Sequence, residues 1–390
     1  MTSYPLPAEF TGPNDVVTGP DGALWASDGS LGLVWRITPS GRMSSFDVGG
    51  LPSSIASAHG ALWIPDRSLD RIVKLTPGGE TTSYPIPTEG AFPIDIVAGP
   101  DGALWFTEGR GDKIGRLTPD GTMTEYDIPT AGAFAGDITT GPDGALWFVE
   151  QSTDKIGRIT TAGEVTEFAL PAGTLPGGIV AGPDGALWFG ERNTNRIARM
   201  TTAGAITAEY PLATEHANPT ALLVGGDGAL WIAQHSAGSI ARMTLDGTVT
   251  REFRTRGIGP DTLTNGPDGA LWFADQNNGR VGRVDIGFDP PVTATGTTFE
   301  ARAGKRFERV VATFSDADPN ARPNDYEVRI AWGDGSRSRG TVRRTADGGF
   351  EVRGRHEYDR ARTYGIAIRI DDGVGRGPDA VVESTALVRR

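Results

Sequence analysis

The chain reads as an all-β protein, a seven-bladed β-propeller followed by a β-sandwich. Three observations predict this: a tryptophan motif that recurs seven times at a nearly constant interval, four short strand patterns inside each interval, and the loss of that repeat after about residue 287. The motif Asp-Gly-Ala-Leu-Trp, or a close variant, places Trp25, Trp63, Trp105, Trp147, Trp188, Trp231 and Trp272 at spacings of 38, 42, 42, 41, 43 and 41 residues. That interval is the length of a four-stranded propeller blade, so seven copies give seven blades.

Blade three illustrates each element. Residues 94–98 are apolar and short, as an innermost strand should be, and Gly99-Pro100-Asp101-Gly102 supplies the turn that ends it. Residues 103–108 form the second strand, 113–118 the third and 122–128 the outer one, separated by turns at 109–112 and at Pro119-Asp120-Gly121. Sustained 3.6-residue periodicity is missing, so almost no helix is expected. The seventh blade runs from Val284 into Phe288-Asp289-Pro290-Pro291 without an outer strand. Its missing text stands at the other terminus, where Thr2-Ser3-Tyr4-Pro5-Leu6-Pro7 copies Thr82-Ser83-Tyr84-Pro85-Ile86-Pro87. The N-terminal strand should therefore complete blade seven and leave no open edge. The repeated tryptophans fit wedges between neighbouring sheets better than a stacking surface for a ligand. Trp35, on a third strand, stands outside that pattern.

Composition excludes several classes. Residues 1–285 carry a net charge of −14 and residues 286–390 a net of +2. The acidic front domain repels phosphate backbones, which argues against nucleic acid and favours cations. No cysteine is present, so disulfides, thiolate metal sites and a cysteine nucleophile are excluded. No apolar run could span a membrane, and the first residues lack the order of a secretory signal. No HExxH, Walker loop, GxSxG or dinucleotide fingerprint appears.

The domains expected are the propeller at 1–287, a linker at 288–291 and the sandwich at 292–390, with strands at 307–316, 326–332, 337–344, 350–356, 363–371 and 380–388. Trp332-Gly333-Asp334-Gly335-Ser336, with Gly354-Arg355-His356-Glu357-Tyr358, Thr363-Tyr364 and Ile370-Asp371-Asp372-Gly373, resembles the PKD-type immunoglobulin-like domain. The resemblance implies a spacer or adhesion module and an extracellular or cell-surface setting. His356 reads as a structural hydrogen-bonder. Asp316, Asp318, Asp371 and Asp372 offer oxygens for Ca2+, although Asp-rich turns are common without metal.

Leu104-Trp105-Phe106-Thr107-Glu108, with Asp112-Lys113-Ile114-Gly115-Arg116-Leu117-Thr118, resembles the blade text of the streptogramin B (virginiamycin B) lyases, and the resemblance covers residues 1–285. It implies Mg2+-dependent elimination that opens a cyclic depsipeptide ester, with the active-site histidines after the prolines that begin the last two inner strands. Here those positions are Thr220, after Pro219, and Asp261, after Pro260. The implied glutamates fall on Gly259 and on Asp275 or Gln276. Elimination needs a suitably basic group, and Asp261 is the candidate base, with Asp261 and Asp275 the candidate metal ligands. His216 and His235 lie nearby in sequence at different blade positions and are candidate replacements.

The second strands end on Asp28, Asp66, Glu108, Glu150, Glu191, Gln234 and Asp275, a ring expected to line a ligand face with Asp15, Asp95, Asp137 and Asp261 near it. Its functional reading is a mouth for a cation, Mg2+ or Ca2+. The structural reading rests on Arg36, Lys74, Arg116, Arg158, Arg199, Arg242 and Arg283, each eight residues further on and expected to neutralise the ring across the second hairpin. The leading functional expectation is a secreted or surface-associated monomeric propeller that binds a small molecule, peptide or cell-envelope polymer. The alternatives are the lyase and an interaction scaffold.

Overall fold

The computed structural model describes every residue except 10, 39–40, 256–258, 288–291, 317–322, 346–348 and 372–379. The expected linker, Asp318 and Asp372 lie outside the described residues. Two compact units are present, Met1–Ile286 and Gly287–Arg390. Among the described residues the only helical turns are Gln276–Asn278 and Pro323–Asp325. No helix is long and apolar enough to cross a membrane.

The first unit consists of seven four-stranded antiparallel sheets. Blade three runs Pro93–Ala98, Leu104–Glu108, Lys113–Leu117 and Met123–Asp127, and the other blades repeat it. Second strands are buried along their whole length, which explains their unbroken apolar text. The seven motif tryptophans are fully buried. Six of them, all but Trp231, pack into a core shared with the next blade, as Trp105 does with Ile138, Leu146 and Phe148. An outer-strand aromatic of the same blade covers each indole, for example Tyr126 over Trp105 at 5.7 Å. The third strand crosses close beneath: a Cβ on Gly115 would stand 2.0 Å from the Phe106 ring.

The bases eight residues after the ring positions do not neutralise the ring. Register is the reason. In the second hairpin Trp105 lies opposite Arg116, whereas Glu108 lies opposite Lys113. Arg116 therefore sits at the far end, where Asp101 of the Gly-Pro-Asp-Gly turn accepts from it and from Trp105 Nε1 at 3.0 Å. The same aspartate, indole and guanidinium group recurs with Asp21, Asp143, Asp184, Asp227 and Asp268. Blade two has His59-Gly60 at its turn and no aspartate; Trp63 Nε1 donates to the Ala58 carbonyl and Lys74 lies 5.3 Å from the Trp63 ring.

Blade seven is closed as expected. Thr2–Pro5 pairs antiparallel with Arg280–Val284, Tyr4 stacks on Trp272 at 5.0 Å and the Leu6 amide donates to the Gly279 carbonyl.

The second unit is a sandwich of a four-stranded and a five-stranded sheet around Val311, Trp332, Val352, Tyr358, Ile366 and Ile368. The span expected as one strand at 337–344 is two, Arg337–Arg339 and Thr341–Arg344, which join different sheets. Gly340 makes the crossing where a Cβ would meet Val328 and Val352 within 3 Å. Thr293–Gly296 and Thr298–Arg302 were not expected; they too divide between the sheets. His356 has the structural place expected of it, with Nε2 2.7 Å from Asp334 Oδ2 and its ring stacked on Trp332.

Closure predicts the effect of truncation. Removing residues 1–8 exposes Trp272 and strips blade seven of Tyr4 and Leu6, each worth about 2 kcal/mol of burial. The thermal midpoint should fall by on the order of 10 °C in scanning calorimetry; an unchanged midpoint would show that the strand is dispensable.

Candidate functional site

The inner strands of all seven blades surround a cavity of about 410 Å3 on the propeller axis. Asp15, Asp95, Asp137 and Arg67 line it among isoleucines and valines. Asp15 Oδ2 accepts from Ile55 N at 3.0 Å and Asp95 Oδ2 from Ile138 N at 2.9 Å, stitching each strand to the next blade. Burial, with Asp95 nearby, pushes the Asp15 carboxyl up to about 7. Burial also raises Asp95, and Asp137 rises well above the usual carboxylate range through burial and the neighbouring Asp95 and Asp15.

The seven ring positions do not line this cavity. All are buried, at 0–1% exposure, because strand ends at this level are sealed by the turns that follow. Asp28 accepts from Gly12 N, Ser30 N and Trp35 Nε1, which also gives Trp35 its place. Asp66 takes Arg71 at 2.9 Å and Asp275 takes Arg280 at 2.6 Å. Each ring residue also has a diagonal counterpart on the outer strand, two residues off the direct register, as Glu125 is to Glu108. Blades one, two and seven place Ser45, Ser83 and Ser3 there and use Asp, whereas blades three to six place Glu125, Glu167, Glu209 and Glu252 and use Glu or Gln.

In blades three to five this brings two carboxyl groups together. Burial first, then Glu125, pushes Glu108 up to about 8 against the pull of Lys113 and Thr88. Burial pushes Glu150 up to about 7, with Thr153 and Lys155 opposing and Glu167 assisting. Thr153 Oγ1 donates to Glu150 at 2.8 Å, whereas blade three has Gly111 at that place and Glu108 lacks this donor. A proton on Glu108 supplies what the sequence omits. In blade six the Gln234 amide replaces the protonated acid, and Ser239 bridges it to Glu252.

The mouth is built by the residues one step further on: Gly29, Arg67, Gly109, Gln151, Arg192, His235 and Gln276. Sequence reasoning missed them, although a signal existed in side-chain size across each first hairpin. Gly29 faces Asn14, Gly109 faces Ile94, Gly136 faces Gln151 and Gly177 faces Arg192, each glycine leaving room for the larger partner. The residue after the proline of blade seven, Asp261, lies between two blades: Oδ1 is 2.9 Å from His235 Nδ1, and Oδ2 accepts from Gln276 N at 3.1 Å. Gln276 Nε2 donates to Asn14 Oδ1 at 2.7 Å. Asp261 raises the His235 imidazole above its ordinary value, opposed by burial and by Arg192. Arg192 is pinned through Nε to Asn218 Oδ1 at 2.8 Å. His216, the other candidate replacement, is exposed with a left-handed φ of 53°.

Outside the mouth runs a rim. The carbonyls of Leu51, Phe92, Phe134, Leu175 and Asn218 accept from the amides of Arg67, Gly109, Gln151, Arg192 and His235. The rim is apolar over blades two to five and polar beyond. Phe92, Phe134 and Leu175 hold φ values of 53°, 51° and 49°, which cost a bulky residue about 1–3 kcal/mol each. The Phe92 and Leu175 amides are tied to Asp70 and Asp154 of the preceding blade.

Magnesium held as the family resemblance implies does not fit this arrangement. Asp275 is sealed under Arg280, Gln276 brings an amide to the mouth, and Asp261 is occupied by His235. Among the described residues no three histidine or acidic side chains are grouped to hold an ion.

Fold and site together define a closed seven-bladed propeller with a ligand-sized mouth over an axial cavity. The chain belongs to the virginiamycin B lyase family, whose model matches residues 1–174 and 138–289. Its propeller is similar to a structure described as streptogramin B lyase, at 35% identity and a TM-score of 0.69, covering 73% of this chain and 96% of that one. It is also similar to virginiamycin B lyase from Staphylococcus aureus, at 31% identity and 0.68, covering 72% and 97%. A catalytically inactive histidine-to-alanine form of that enzyme with quinupristin matches equally. A search of curated protein sequences gives no match.

The paired carboxyls predict a pH dependence. Their folded values lie above the ordinary 4.5, so the folded chain holds protons that the unfolded chain releases. Their stabilising contribution is complete below about pH 4.5 and is lost as pH rises through about 7 for Glu150 and about 8 for Glu108. Glu108→Gln, which copies the amide of blade six, should melt above wild type at pH values beyond about 8 and converge with it near pH 5. Thermal melts across that range check this; a variant that follows wild type throughout would show that Glu108 holds no proton.

Proposed function

We propose that this chain is a secreted or surface-associated binding propeller of the virginiamycin B lyase family, which holds a small molecule, peptide or cell-envelope polymer over its mouth without turning it over. The observation that carries the reading is the exchange at the end of blade seven. The carboxylate of Asp275 is spent on Arg280, and the amide of Gln276 stands at the mouth in its place. With Thr220 and Gly259 at two further positions that the chemistry requires, neither the inner-strand base nor the metal-binding carboxylates are supplied.

The sandwich is proposed as a PKD-type spacer or second contact. Support comes from its Trp-Gly-Asp-Gly-Ser turn, where Gly333 and Gly335 take φ values of 78° and 97° and Tyr358 Oη donates to the Trp332 carbonyl. The extracellular setting rests on that reading.

A second reading, a metal-dependent lyase that opens a cyclic depsipeptide ester, is favoured by one contact. An imidazole held by an aspartate, as His235 is by Asp261, is the arrangement a general base requires. Incubation with quinupristin and Mg2+, followed by mass spectrometry, separates the two. The expected result is recovery of the intact ring. Opening that disappears with EDTA, and in both Asp261→Ala and His235→Ala, would establish the lyase instead.

A further inference from the structure

Half-buried arginines are costly unless paired, and this propeller pairs them. Among the described residues, Arg71 and Arg280 are paired with Asp66 and Asp275, and Arg36, Arg116, Arg158, Arg199, Arg242 and Arg283 with the turn aspartates. Two half-buried arginines are exceptions, and both stand at the mouth. Arg67 lines the axial cavity, its Nε is buried without an acceptor, and its guanidinium lies 5.8 Å from the Phe92 ring. Arg192 uses Nε on the neutral Asn218, lies across Gly177, and has Asp137, a carboxyl that burial holds well above the usual range, as an acidic neighbour but no ion pair for its terminal nitrogens. His235, on the next blade, adds an imidazole that Asp261 raises above its ordinary value.

These groups bracket the apolar rim. Arg67 belongs to blade two and Arg192 to blade five, and the rim residues between them are Leu51, Phe92, Phe134 and Leu175. Leu51 is 45% exposed, and the Phe92 and Phe134 rings are 6.4 Å apart. The bulky side chains persist at left-handed positions where glycine would be relaxed, a cost that a ligand-contacting surface explains. Asp15, Asp95 and Asp137 line the same cavity as Arg67, and burial raises all three carboxyls, which favours their uncharged forms beside a bound anion. The net charge of −14 on residues 1–285 disfavours a polyanion.

We infer that the mouth recognises a carboxylate-bearing small molecule or peptide end with an aromatic or apolar body, the carboxylate on Arg67 and Arg192 and the body on Phe92, Phe134 and Leu175. This rests on the binding reading proposed above, and reverses the sign of the ligand that the acidic ring suggests. The carboxylate completes the two guanidiniums, and the rim sets the preference for the body.

Calorimetric titration of the full chain with N-acetyl-phenylalanine and with N-acetyl-phenylalaninamide tests it, since the pair differs only in the charged group. The acid should bind at least about tenfold more tightly than the amide, and Arg67→Gln and Arg192→Gln should each weaken it by about tenfold. Arg67→Lys, which keeps the charge, should recover part of the loss. Should Arg192→Gln fail to fold, Arg67→Gln and the comparison of the two probes on wild type decide alone. Equal affinity for acid and amide, or affinity for the acid unchanged in Arg67→Gln, would overturn the inference. Quinupristin in a parallel titration separates the two levels: its binding without preference for the acid leaves the binding propeller standing and removes the anion site. No binding of any of the three removes both.

Discussion

One aspartate per blade holds the propeller together. In six blades the turn aspartate accepts the tryptophan indole on one oxygen and a third-strand arginine on the other. Isolated ion pairs at this exposure contribute little. Here the aspartate is also bonded to a backbone amide of its own turn, as Asp101 is to Ala103 N, so one side chain fixes a turn, a wedge and the facing strand. The orientation of the wedge matters to the packing of neighbouring sheets, because six of the seven indoles belong to cores assembled from two blades. Blade two replaces the aspartate with a backbone carbonyl and tolerates the loss of one contact in seven.

The repeat made the fold legible. Seven spaced tryptophans and the duplicated Thr-Ser-Tyr-Pro text at the N-terminus were enough for blade number, strand order and ring closure. The sandwich was less readable, because strands that change sheets at Gly340 and Thr297 carry no compositional sign of the switch. The site was less readable still. An acidic pattern at the ends of the second strands suggested a mouth, but side-chain direction alternates along a strand and a one-residue step separates what is sealed from what is presented. Asp275 and Gln276 are that step: adjacent in the chain, one is buried on Arg280 and the other reaches Asn14. The arginine pairing failed for a related reason, since counting residues around a hairpin without its register assigned Arg116 to Glu108 in place of Asp101.

The sealed ring and the open mouth are also chemically distinct. Buried carboxyls in blades three to five are raised by burial and by the acids beside them, and in blade six Gln234 stands in their place with Ser239 linking it to Glu252. The mouth, by contrast, brings together Arg67, Arg192 and His235, of which only His235 has a carboxylate, Asp261, in direct contact. A protein acidic in sum therefore sets two guanidiniums without ion pairs at its entrance, which no count of total charge could reveal.

The rim is anchored in a way that bears on how such a chain changes over generations. Phe92 and Leu175 are held through their backbone amides by an aspartate of the previous blade, and their side chains take no part in that tether. Substitution at either position leaves the scaffold's own bonds intact and alters only what faces the solvent. New selectivities can thus be sampled along the rim, with Phe92 and Phe134 varying together where their rings meet, on a ring that need not be refolded to accommodate them.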